Sequence, residues 1–390
     1  MDLTNLPTPA LLVDRAKLMA NLNAMQQRAN EQGVRLRPHT KTHKSIALAK
    51  LQRDLGAQGL TVAKLGEAEM FVDAGFDDIR IAYALVGDDK FARVRQLMDR
   101  ARITFCVDTV EGVGAASRYF SGHGLTAEVL IETDIGYGRC GVWYDDPRSA
   151  GFARWVDDQT GLRVVGILTH AGHAYGGPKE KGESKEDALR RVSNQERDRM
   201  LEFAVSLREE GVAAAVDGSL EISIGSTPSV RYFENRTHEG FKVTEMRPGN
   251  YVYLDMTQVN LGVDPLQRCA LTVLSTVISK HANADGTERL FLDSGKKVLT
   301  SDMAYGQEGY GQVLHGLNVM EPLTGAVINA LSEEHGWVHM PGGSMLKVLD
   351  RVRVVPNHSC VVVNTQKEVH VVEGDRVVES WPVDAQSLVL

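Results

Sequence analysis

The feature that most constrains the fold of this chain is an alternation of short apolar runs with segments of helical periodicity, which lasts to residue 262. Eight of the runs are typical of β-strands: Val34–Leu36, Gly59–Ala63, Ile79–Tyr83, Ile103–Val107, Ala127–Glu132, Val164–Thr169, Leu220–Ile224 and Asn250–Leu254. Strands that alternate with helices form parallel sheets, and eight of them predict a (β/α)8 TIM-type barrel. An open doubly wound sheet is the alternative, because one sequence does not fix the strand count.

The C-terminal ends of the predicted strands are where such a barrel carries its chemistry. Four residues lie just past such an end: Lys41, Arg139, His170 and Gly225. After residue 262 the alternation stops, and strand-like runs follow one another with turns between them. These runs are Cys269–Leu274, Leu290–Leu292, Arg351–Val355, Cys360–Val363 and Glu368–Val372. The sequence therefore predicts a barrel over residues 15–262 and a separate, mainly-β domain over residues 263–390.

Composition and charge narrow the class of protein. A hydrophobic content of 43% with 24% charged residues is ordinary for a soluble globular protein. The net charge of −8 gives no support for nucleic-acid binding, and no apolar run reaches the roughly 20 residues that cross a bilayer. The N-terminus lacks a basic segment followed by an apolar one, so we expect a cytoplasmic protein without a signal peptide. The four cysteines lack paired spacing, which favours thiols or metal ligands over disulfides.

The segment Arg37–Lys44, with the sequence RPHTKTHK, places a lysine where the first of the eight strands should end. Pro38 disfavours helix at the residue before it and cannot donate a ladder hydrogen bond, so the strand should stop there. Lys41 then lies just past the C-terminal end of the strand, among Arg37, two histidines and a second lysine. Such cationic surroundings favour the neutral amine, which is the form that attacks a carbonyl. Taken alone, the cluster also fits a solvated basic loop.

One glycine turn follows the seventh predicted strand and another leads into the eighth, and both offer hydrogen-bond donors to an anion. The first is Gly225-Ser226-Thr227-Pro228, and the second is the segment Arg247–Tyr251, with the sequence RPGNY. Backbone amides beside glycine suit a phosphate, and barrels commonly hold phosphate after strands seven and eight. An ordinary turn is the alternative for each segment.

Two further strand ends group polar side chains. Three glycines around Arg139 allow the backbone to approach a ligand closely beside a fixed cation. The next strand ends with His170, His173 and Tyr175. Histidines in this position fit proton transfer, assistance to a metal, or plain hydrogen bonding.

In the predicted β-domain, the segment Pro356–Cys360 contains a candidate pair of metal ligands. His358 and Cys360 project to one side if the backbone is extended. Imidazole with thiolate suits zinc. A structural histidine and a buried cysteine are the alternative.

Taken together, these motifs resemble those of the D-threonine aldolase and D-serine dehydratase family, whose members share the alanine-racemase type of pyridoxal-phosphate fold. In chain order they are RPHTKTHK around Lys41, D-x-G-x-G-R-x-G at 134–141, HAGHAY at 170–175, GSTP at 225–228, RPGNY at 247–251 and PNHSC at 356–360. Six ordered motifs over nearly the whole chain make the resemblance specific. It implies a fold type III enzyme with an N-terminal barrel, a C-terminal β-domain that also takes residues 1–14, and a homodimer with active sites between the subunits.

By motif position, the resemblance implies a role for each candidate residue. Lys41 would hold pyridoxal 5'-phosphate as a Schiff base, with Arg139 near the pyridoxal phenolic oxygen. The other cofactor-binding residues would be Tyr175, Gly225, Ser226, Thr227, Gly249, Asn250 and Tyr251. His358 and Cys360 would hold a divalent metal, either zinc or manganese. His170 and His173 are both candidates for the catalytic acid–base group.

The resemblance further implies a lyase that acts on 3-hydroxy-D-amino acids, with the pyridine ring as electron sink and the metal as Lewis acid at the 3-hydroxyl. We expect retro-aldol cleavage of D-threonine to glycine and an aldehyde. The alternative is dehydration of D-serine or D-threo-3-hydroxyaspartate to a 2-oxo acid and ammonia. Cys360 favours the dehydratases, which carry cysteine where some aldolases carry aspartate, but other aldolase-like members also carry cysteine at this position. A pyridoxal-phosphate carrier lacks both the β-domain and the metal pair, and the metal pair also distinguishes the chain from a racemase.

Overall fold

The computed structural model describes residues 1–390, which divide into two compact units. The barrel unit consists of residues 25–41, 48–249 and 388–390, and the sheet unit consists of residues 1–24, 42–47 and 250–387. None of the helices combines the length and the apolar character that a membrane crossing requires. The domain boundaries expected from the sequence, 15–262 and 263–390 with 1–14, stay a prediction.

The strands and helices are numbered separately in chain order. The strands are β1 (Ala10–Asp14), β2 (Arg35–Leu36), β3 (Leu60–Val62), β4 (Asp78–Ala84), β5 (Arg102–Val107), β6 (Ala127–Asp134), β7 (Val142–Trp143), β8 (Leu162–Leu168), β9 (Glu221–Ile224), β10 (Glu245–Met246), β11 (Leu271–Ala282), β12 (Glu288–Leu292), β13 (Gln312–Val313), β14 (Val327–Leu331), β15 (Gly336–Met340), β16 (Arg351–Val355), β17 (Glu368–Glu373) and β18 (Arg376–Pro382). The helices are α1 (Arg15–Gln32), α2 (Ile46–Asp54), α3 (Leu65–Asp73), α4 (Asp88–Met98), α5 (Val110–Gly122), α6 (Pro147–Asp157), α7 (Lys185–Glu209), α8 (Ala213–Val216), α9 (Thr227–Val230), α10 (Met256–Leu261), α11 (Lys296–Leu299) and α12 (Ser359–Asn364).

The barrel unit is built on a curled parallel sheet, which confirms the predicted fold class. Its strand order is β2-β10-β9-β8-β6-β5-β4-β3, and a parallel bridge between His39 and Thr61 joins the two ends. The central strands are apolar on both faces, as in Val129–Ile131 of β6, because side chains fill the interior and helices cover the outside. On that outside, Phe91 of α4 and Phe120 of α5 pack on Phe105 of β5, with ring centroids 6.2 and 6.1 Å from it.

The eighth barrel strand differs from its prediction. The segment Asn250–Leu254 was expected to be a strand, but residues Asn250–Val252 form a 3-10 turn, and the eighth strand is the two-residue β10. Pro248 has no amide hydrogen with which to continue a ladder. The alternation of apolar and aromatic residues after it therefore does not extend the sheet.

The sheet unit contains a mainly antiparallel sheet in the order β14-β15-β12-β11-β1-β17-β18, with β16 pairing to β11 and β13. β1 lies between β11, to which it is antiparallel, and β17, to which it is parallel. The predicted strand Cys360–Val363 is wrong, because these residues belong to α12. The Asp255 carboxylate accepts the Ser359 amide at 2.9 Å, and this bond holds the start of the helix despite the β-branched residues that follow.

The interior of the barrel unit contains a network of charged side chains near the starts of the strands. Arg37, Arg80 and Glu245 are fully buried. Glu245 accepts a hydrogen bond from Arg37 Nε at 2.6 Å and another from Arg80 Nη1. Arg80 also pairs with Glu221, which lies 3.0 Å from Arg102. Burial alone would raise the pKa of Glu245, but the two arginines outweigh burial and hold that pKa well below its usual range.

We expect Glu245→Gln to destabilise the barrel unit by about 3–5 kcal/mol at neutral pH, because it removes the buried carboxylate that two buried guanidinium groups share. Arg37 then keeps only Asp78 as a carboxylate partner, and Arg80 keeps only Glu221. Glu69→Gln, which removes the partly exposed partner of Arg93, is the matched control and should cost at most about 1 kcal/mol. Because the folded pKa of Glu245 is depressed, its contribution is present above the usual glutamate pKa of about 4.3 and is lost as the pH falls below it. Urea unfolding at pH 7 and at about pH 3, between the unfolded and the folded pKa of Glu245, measures both effects. Equal losses for the two variants at pH 7 would contradict this account.

Candidate active site

Lys41 lies in a 3-10 turn, Thr40–Thr42, directly after β2. Neighbouring strand ends hold the backbone before it, since His39 N donates to Pro248 O at 3.0 Å and Thr61 N donates to Pro38 O at 2.9 Å. Lys41 is therefore half-buried on a backbone fixed from both sides. Within the barrel unit the expected cationic crowding is reduced, because the Arg37 guanidinium binds Glu245 and Asp78 at 2.6 and 2.7 Å.

The turn at Gly225 requires glycine. Its φ of +131° is disfavoured for other residues, and a Cβ would lie 2.8 Å from the Arg247 backbone nitrogen. Ser226 and Ser229 form a capping box at the start of α9, so the Ser226 hydroxyl and amide are both engaged with Ser229. The turn is thus a close backbone crossing between β9 and β10, with the Ser226 amide and hydroxyl already paired to Ser229.

Glu196 of α7 supports this turn, and it is absent from the sequence prediction. Its fully buried Oε1 accepts the Gly225 amide at 2.9 Å. Burial raises the pKa of this carboxyl, although the Ser229 hydroxyl and the Ala171 backbone interact with it and oppose the rise. One feature of the sequence could have identified Glu196: it is a glutamate on the apolar, buried face of α7, between Val192 and Met200.

Arg247 holds two strand ends together from inside the barrel unit. Its buried guanidinium donates to Ser223 Oγ at 2.5 Å and to the carbonyl of Thr169. Burial lowers the pKa of Arg247 to about 10, with Glu245 opposing that shift. Because Thr169 precedes His170, this contact links the histidine turn to β9.

His170 and His173 follow β8 and are both electrically neutral near pH 7. Burial, then Lys41 and Arg139, lower the pKa of His170 to about 3. Burial, then the cations led by Lys179, lower the pKa of His173 to about 4. His170 Nδ1 lies 3.4 Å from Gly225 O, and neither ring nitrogen of His173 has a hydrogen-bond partner.

Two tyrosines flank His170. The Tyr137 and Tyr175 rings lie 6.2 and 6.4 Å from its imidazole, centroid to centroid. Gly172 lies directly beneath Tyr137, and a Cβ there would lie 2.1 Å from the phenol ring in its present position. Tyr137 is therefore a neighbour of the imidazole that the sequence did not single out.

Arg139 stands in a loop that Asp134 organises. The Asp134 carboxylate accepts the amides of residues 136, 137 and 138 at 2.8, 2.9 and 2.8 Å. Arg139 Nη2 lies 3.3 Å from Glu132 Oε1, which also accepts from Cys140 Sγ at 2.9 Å. Burial, then Glu132, raise the pKa of the Cys140 thiol to about 11.

The same loop brings together donor atoms of Asp108, Glu132 and Cys140 within 4.8 Å of one another. Arg139 already pairs with Glu132, and the Cys140 thiol holds its proton. A divalent cation would have to displace both interactions. This set is consequently a poorer metal site than the His358–Cys360 pair.

The predicted metal ligands lie at the start of α12 in the sheet unit. His358 precedes the helix with an extended backbone, and Cys360 is in its first turn. Ser359 Oγ donates to Leu254 O at 2.7 Å, which fixes the residue between the two ligands. The prediction had both His358 and Cys360 on extended backbone. In the structure only His358 is extended, and Cys360 belongs to the helix that follows.

The surroundings of the pair suit a divalent cation. Burial alone would lower the pKa of His358, yet Cys360, Asp255 and Asp302 outweigh it and raise that pKa to about 10. Such a shift requires anionic surroundings, and a borderline-soft nitrogen and sulfur donor pair fits zinc. The donor set therefore fits the predicted metal.

Two more residues of the sheet unit contact the Cys360 sulfur. Thr42 Oγ1 lies 3.1 Å from Sγ, and Asn250 Nδ2 lies 3.8 Å from it. The same Asn250 amide donates to Asp255 Oδ2 at 2.5 Å. The phosphate roles of Gly249, Asn250 and Tyr251 stay a prediction, while Thr42, Asp255 and Asp302 are site residues that the sequence did not identify.

Comparison with known proteins agrees with this geometry. Residues 13–257 match the profile of "Alanine racemase, N-terminal domain", and residues 270–372 match "Putative serine dehydratase domain". D-threo-3-hydroxyaspartate dehydratase of Delftia sp. (strain HT23) is 33% identical over 97% of this chain and 97% of its own length. D-threonine aldolase of Arthrobacter sp. is 33% identical over 98% of this chain and 94% of its own length.

A solved D-threo-3-hydroxyaspartate dehydratase superposes with a TM-score of 0.87, at 32% identity and with 98% of each chain covered. That structure is an alanine variant of one cysteine in the metal-free form. A second structure of this dehydratase, with a TM-score of 0.86, is an alanine variant of a histidine two positions earlier. The spacing is that of His358 and Cys360.

Proposed function

Because the chain belongs to the family that joins an alanine racemase N-terminal domain to a serine dehydratase domain, and is a lyase on 3-hydroxy-D-amino acids, we propose that it is a D-threonine aldolase. In this proposal D-threonine is cleaved between Cα and Cβ to glycine and acetaldehyde. Pyridoxal 5'-phosphate and a divalent metal, zinc or manganese, are its cofactors. The homodimer and the cytoplasmic location expected from the sequence are part of the proposal.

The observation that carries the aldolase proposal is the position of His170, whose uncharged imidazole follows β8, lies beside the Gly225 turn and has Lys41 and Arg139 as its first charged neighbours. Retro-aldol cleavage needs a base that removes the proton of the 3-hydroxyl group. A neutral imidazole has a lone pair that can take this proton. Dehydration instead requires a group that protonates or coordinates the departing hydroxyl. Nδ1 faces the Gly225 carbonyl at 3.4 Å, so Nε2 is the proposed proton acceptor.

His170 is a better candidate than His173 because of its charged neighbours. Lys41 and Arg139 are the first cations that lower its pKa, whereas Lys179 and Arg199 are the first for His173. The base should lie close to the lysine that carries the cofactor. We therefore assign proton transfer to His170 and a supporting role to His173.

The remaining residues bind and orient. Lys41 would supply the amine that holds the cofactor aldehyde, Arg139 would lie near the pyridoxal phenolic oxygen, and Tyr175 would help to bind the cofactor. The turn Gly225–Thr227, with Gly249, Asn250 and Tyr251, would receive the phosphate, and Glu196 keeps Gly225 in place. His358 and Cys360 would hold the metal. When bound, the cofactor supplies an electron sink and the metal polarises the 3-hydroxyl oxygen.

Dehydration is the second candidate, and one observation favours it. The structurally matched dehydratase has a histidine and a cysteine at the same spacing as His358 and Cys360, and its cysteine variant is metal-free. A metal that activates the hydroxyl as a leaving group, with Lys41 as the base for the α-proton, would give a 2-oxo acid and ammonia.

Product analysis decides between the two reactions. With the metal-loaded protein, D-threonine should give glycine and acetaldehyde in equal amounts, and L-threonine should not react. D-serine and D-3-hydroxyaspartate, assayed alongside, define the preferred side chain. The appearance of 2-oxobutyrate and ammonia from D-threonine would replace the aldolase proposal by the dehydratase, and racemisation of alanine without either product would remove both.

His170→Gln provides a second check on the aldolase proposal. It should lower kcat strongly while leaving cofactor binding nearly unchanged, because glutamine cannot take the hydroxyl proton. His173→Gln is the matched comparison and should retain more activity. The kcat of each variant and the absorption of its bound cofactor are measured on the same samples.

A further inference from the structure

One hydrogen bond determines which ring nitrogen of His358 can face a metal. Its Nδ1 lies 2.6 Å from Asp302 Oδ2. A carboxylate accepts hydrogen bonds, so Nδ1 carries a proton, and Nε2 is the nitrogen whose lone pair a metal can take in exchange for any proton there. The ligand atom is therefore Nε2, and the ring plane is set by a residue 56 positions away in the sequence.

Asp302 is itself held by the residue that precedes His358. The side chain of Asn357 is 1% exposed, and its Nδ2 donates to the carbonyls of Asp302 and Gly309 at 3.0 and 2.9 Å. Asn357 thus fastens the loop that carries Asp302 to the segment that carries His358. The Asp302–His358 distance is consequently set by two buried backbone contacts as well as by the attraction of the pair.

A plain surface ion pair is the alternative reading of this contact, since the side chains of His358 and Asp302 are 40% and 43% exposed. Exposed pairs contribute little, because each partner moves freely in water. Here the backbone of Asp302 is fixed by Asn357, and the amide of Ser359 is fixed by Asp255 at 2.9 Å. The backbone is therefore fixed on both the Asp302 side and the His358 side of the contact, as is needed if Asp302 is to orient the His358 ring.

We propose that Asp302 is a positioning residue for the metal ligand His358, which fixes the Nε2 lone pair for coordination and raises its basicity. The inference rests on the proposed metal role of His358 and Cys360. Asp302 needs no contact with substrate or metal to act in this way. Its loss should therefore appear first in metal affinity.

The test measures the zinc dissociation constant by competition with a chelator, without any activity assay. Asp302→Ala should weaken zinc binding by about 10- to 100-fold. Asp302→Asn should fall between that variant and the wild type, because its amide oxygen still accepts from Nδ1 but carries no charge. Glu308→Gln, which removes an exposed charge from the same loop, is the matched control and should bind zinc like the wild type.

The tautomer of His358 gives a second readout. In the zinc-loaded proteins, imidazole nitrogen chemical shifts should show Nδ1–H with Nε2 as the only ligand atom in the wild type, and a mixture of Nε2- and Nδ1-bound forms in Asp302→Ala. Circular dichroism of each variant shows that the sheet unit is folded when these values are taken.

His358→Ala, measured in the same assay, separates the two hypotheses. If it binds zinc as tightly as the wild type, the proposed metal site is wrong. If it loses zinc while Asp302→Ala keeps the wild-type affinity and tautomer, the metal site stands and the role of Asp302 is overturned. If Glu308→Gln weakens binding as much as Asp302→Ala, general electrostatics accounts for the effect, and the positioning role is again overturned.

Discussion

Lys41→Ala is expected to abolish the covalent attachment of pyridoxal phosphate and to lower kcat/KM by roughly 10⁴-fold or more. The reason is that Lys41 is a half-buried amine on a fixed turn after β2, whereas its neighbour Arg37 is occupied by Glu245 and Asp78. No other lysine is assigned to the site. The measurement is reduction with borohydride, followed by peptide mapping, with the absorption spectrum taken before reduction.

Two comparison variants sharpen this prediction. Lys50→Ala, which removes an exposed lysine of α2, should leave the cofactor and the activity unchanged. Lys41→Arg keeps a positive charge but cannot form the linkage, so it should be as inactive as Lys41→Ala. A Lys41→Ala protein in which the cofactor is still attached to the chain would contradict the assignment.

The pKa of His170 distinguishes the electrostatic effect of Lys41 from its role in the covalent attachment of the cofactor. Lys41 is the first charged group, after burial, that lowers this pKa to about 3. Removing the charge in Lys41→Ala should raise the pKa of His170, while Lys41→Arg should leave it near the wild-type value. Proton NMR titration of His170 in the cofactor-free proteins measures the difference.

The barrel could be predicted from the sequence because its strands are local and apolar. Strand β6, for example, carries Val129, Leu130 and Ile131 in one unbroken buried run. Strand β10 could not be predicted, because it has two residues and one of them is Glu245. A buried glutamate is stable there only because Arg37 and Arg80 reach it from other strands, 208 and 165 residues away in the chain.

The candidate site, too, could be predicted from the sequence only where its residues lie in local motifs. Lys41, Gly225, His358 and Cys360 stand in short motifs with a visible chemical logic. Glu196 and Asp302 form hydrogen bonds to residues 29 and 56 positions away, and no local pattern in the sequence marks such a partner. The run Cys360–Val363 has the β-branched composition of a strand, but the distant Asp255 holds its first turn as helix.

Removal of the metal should abolish cleavage while leaving cofactor binding nearly intact. His358 and Cys360, the proposed metal ligands, belong to the sheet unit, whereas Lys41 and the Gly225 turn belong to the barrel unit. Without the metal, the 3-hydroxyl group loses its Lewis acid, so activity on D-threonine should fall to background. Activity and cofactor absorption are measured on the same samples, before chelation, after chelation, and after adding zinc or manganese.

His358→Ala should behave like the chelated protein and should not recover when metal is added. His335→Ala is a suitable comparison, because this histidine of the sheet unit packs against Phe291 and is assigned no ligand role. It should keep its metal and its activity. Full activity in a wild-type sample that elemental analysis shows to be metal-free would contradict the metal assignment. His358 and Cys360 would then be structural residues.

Cys360→Asp tests the chemistry of the second ligand. Carboxylate is a harder ligand than thiolate, so the preference should shift from zinc toward manganese, with some metal binding retained. Thr42 Oγ1 and Asn250 Nδ2, which lie 3.1 and 3.8 Å from the Cys360 sulfur, can donate to a carboxylate oxygen in its place. The variant should therefore recover activity with manganese more fully than with zinc. An unchanged order of the two metals would mean that Cys360 does not set the metal preference.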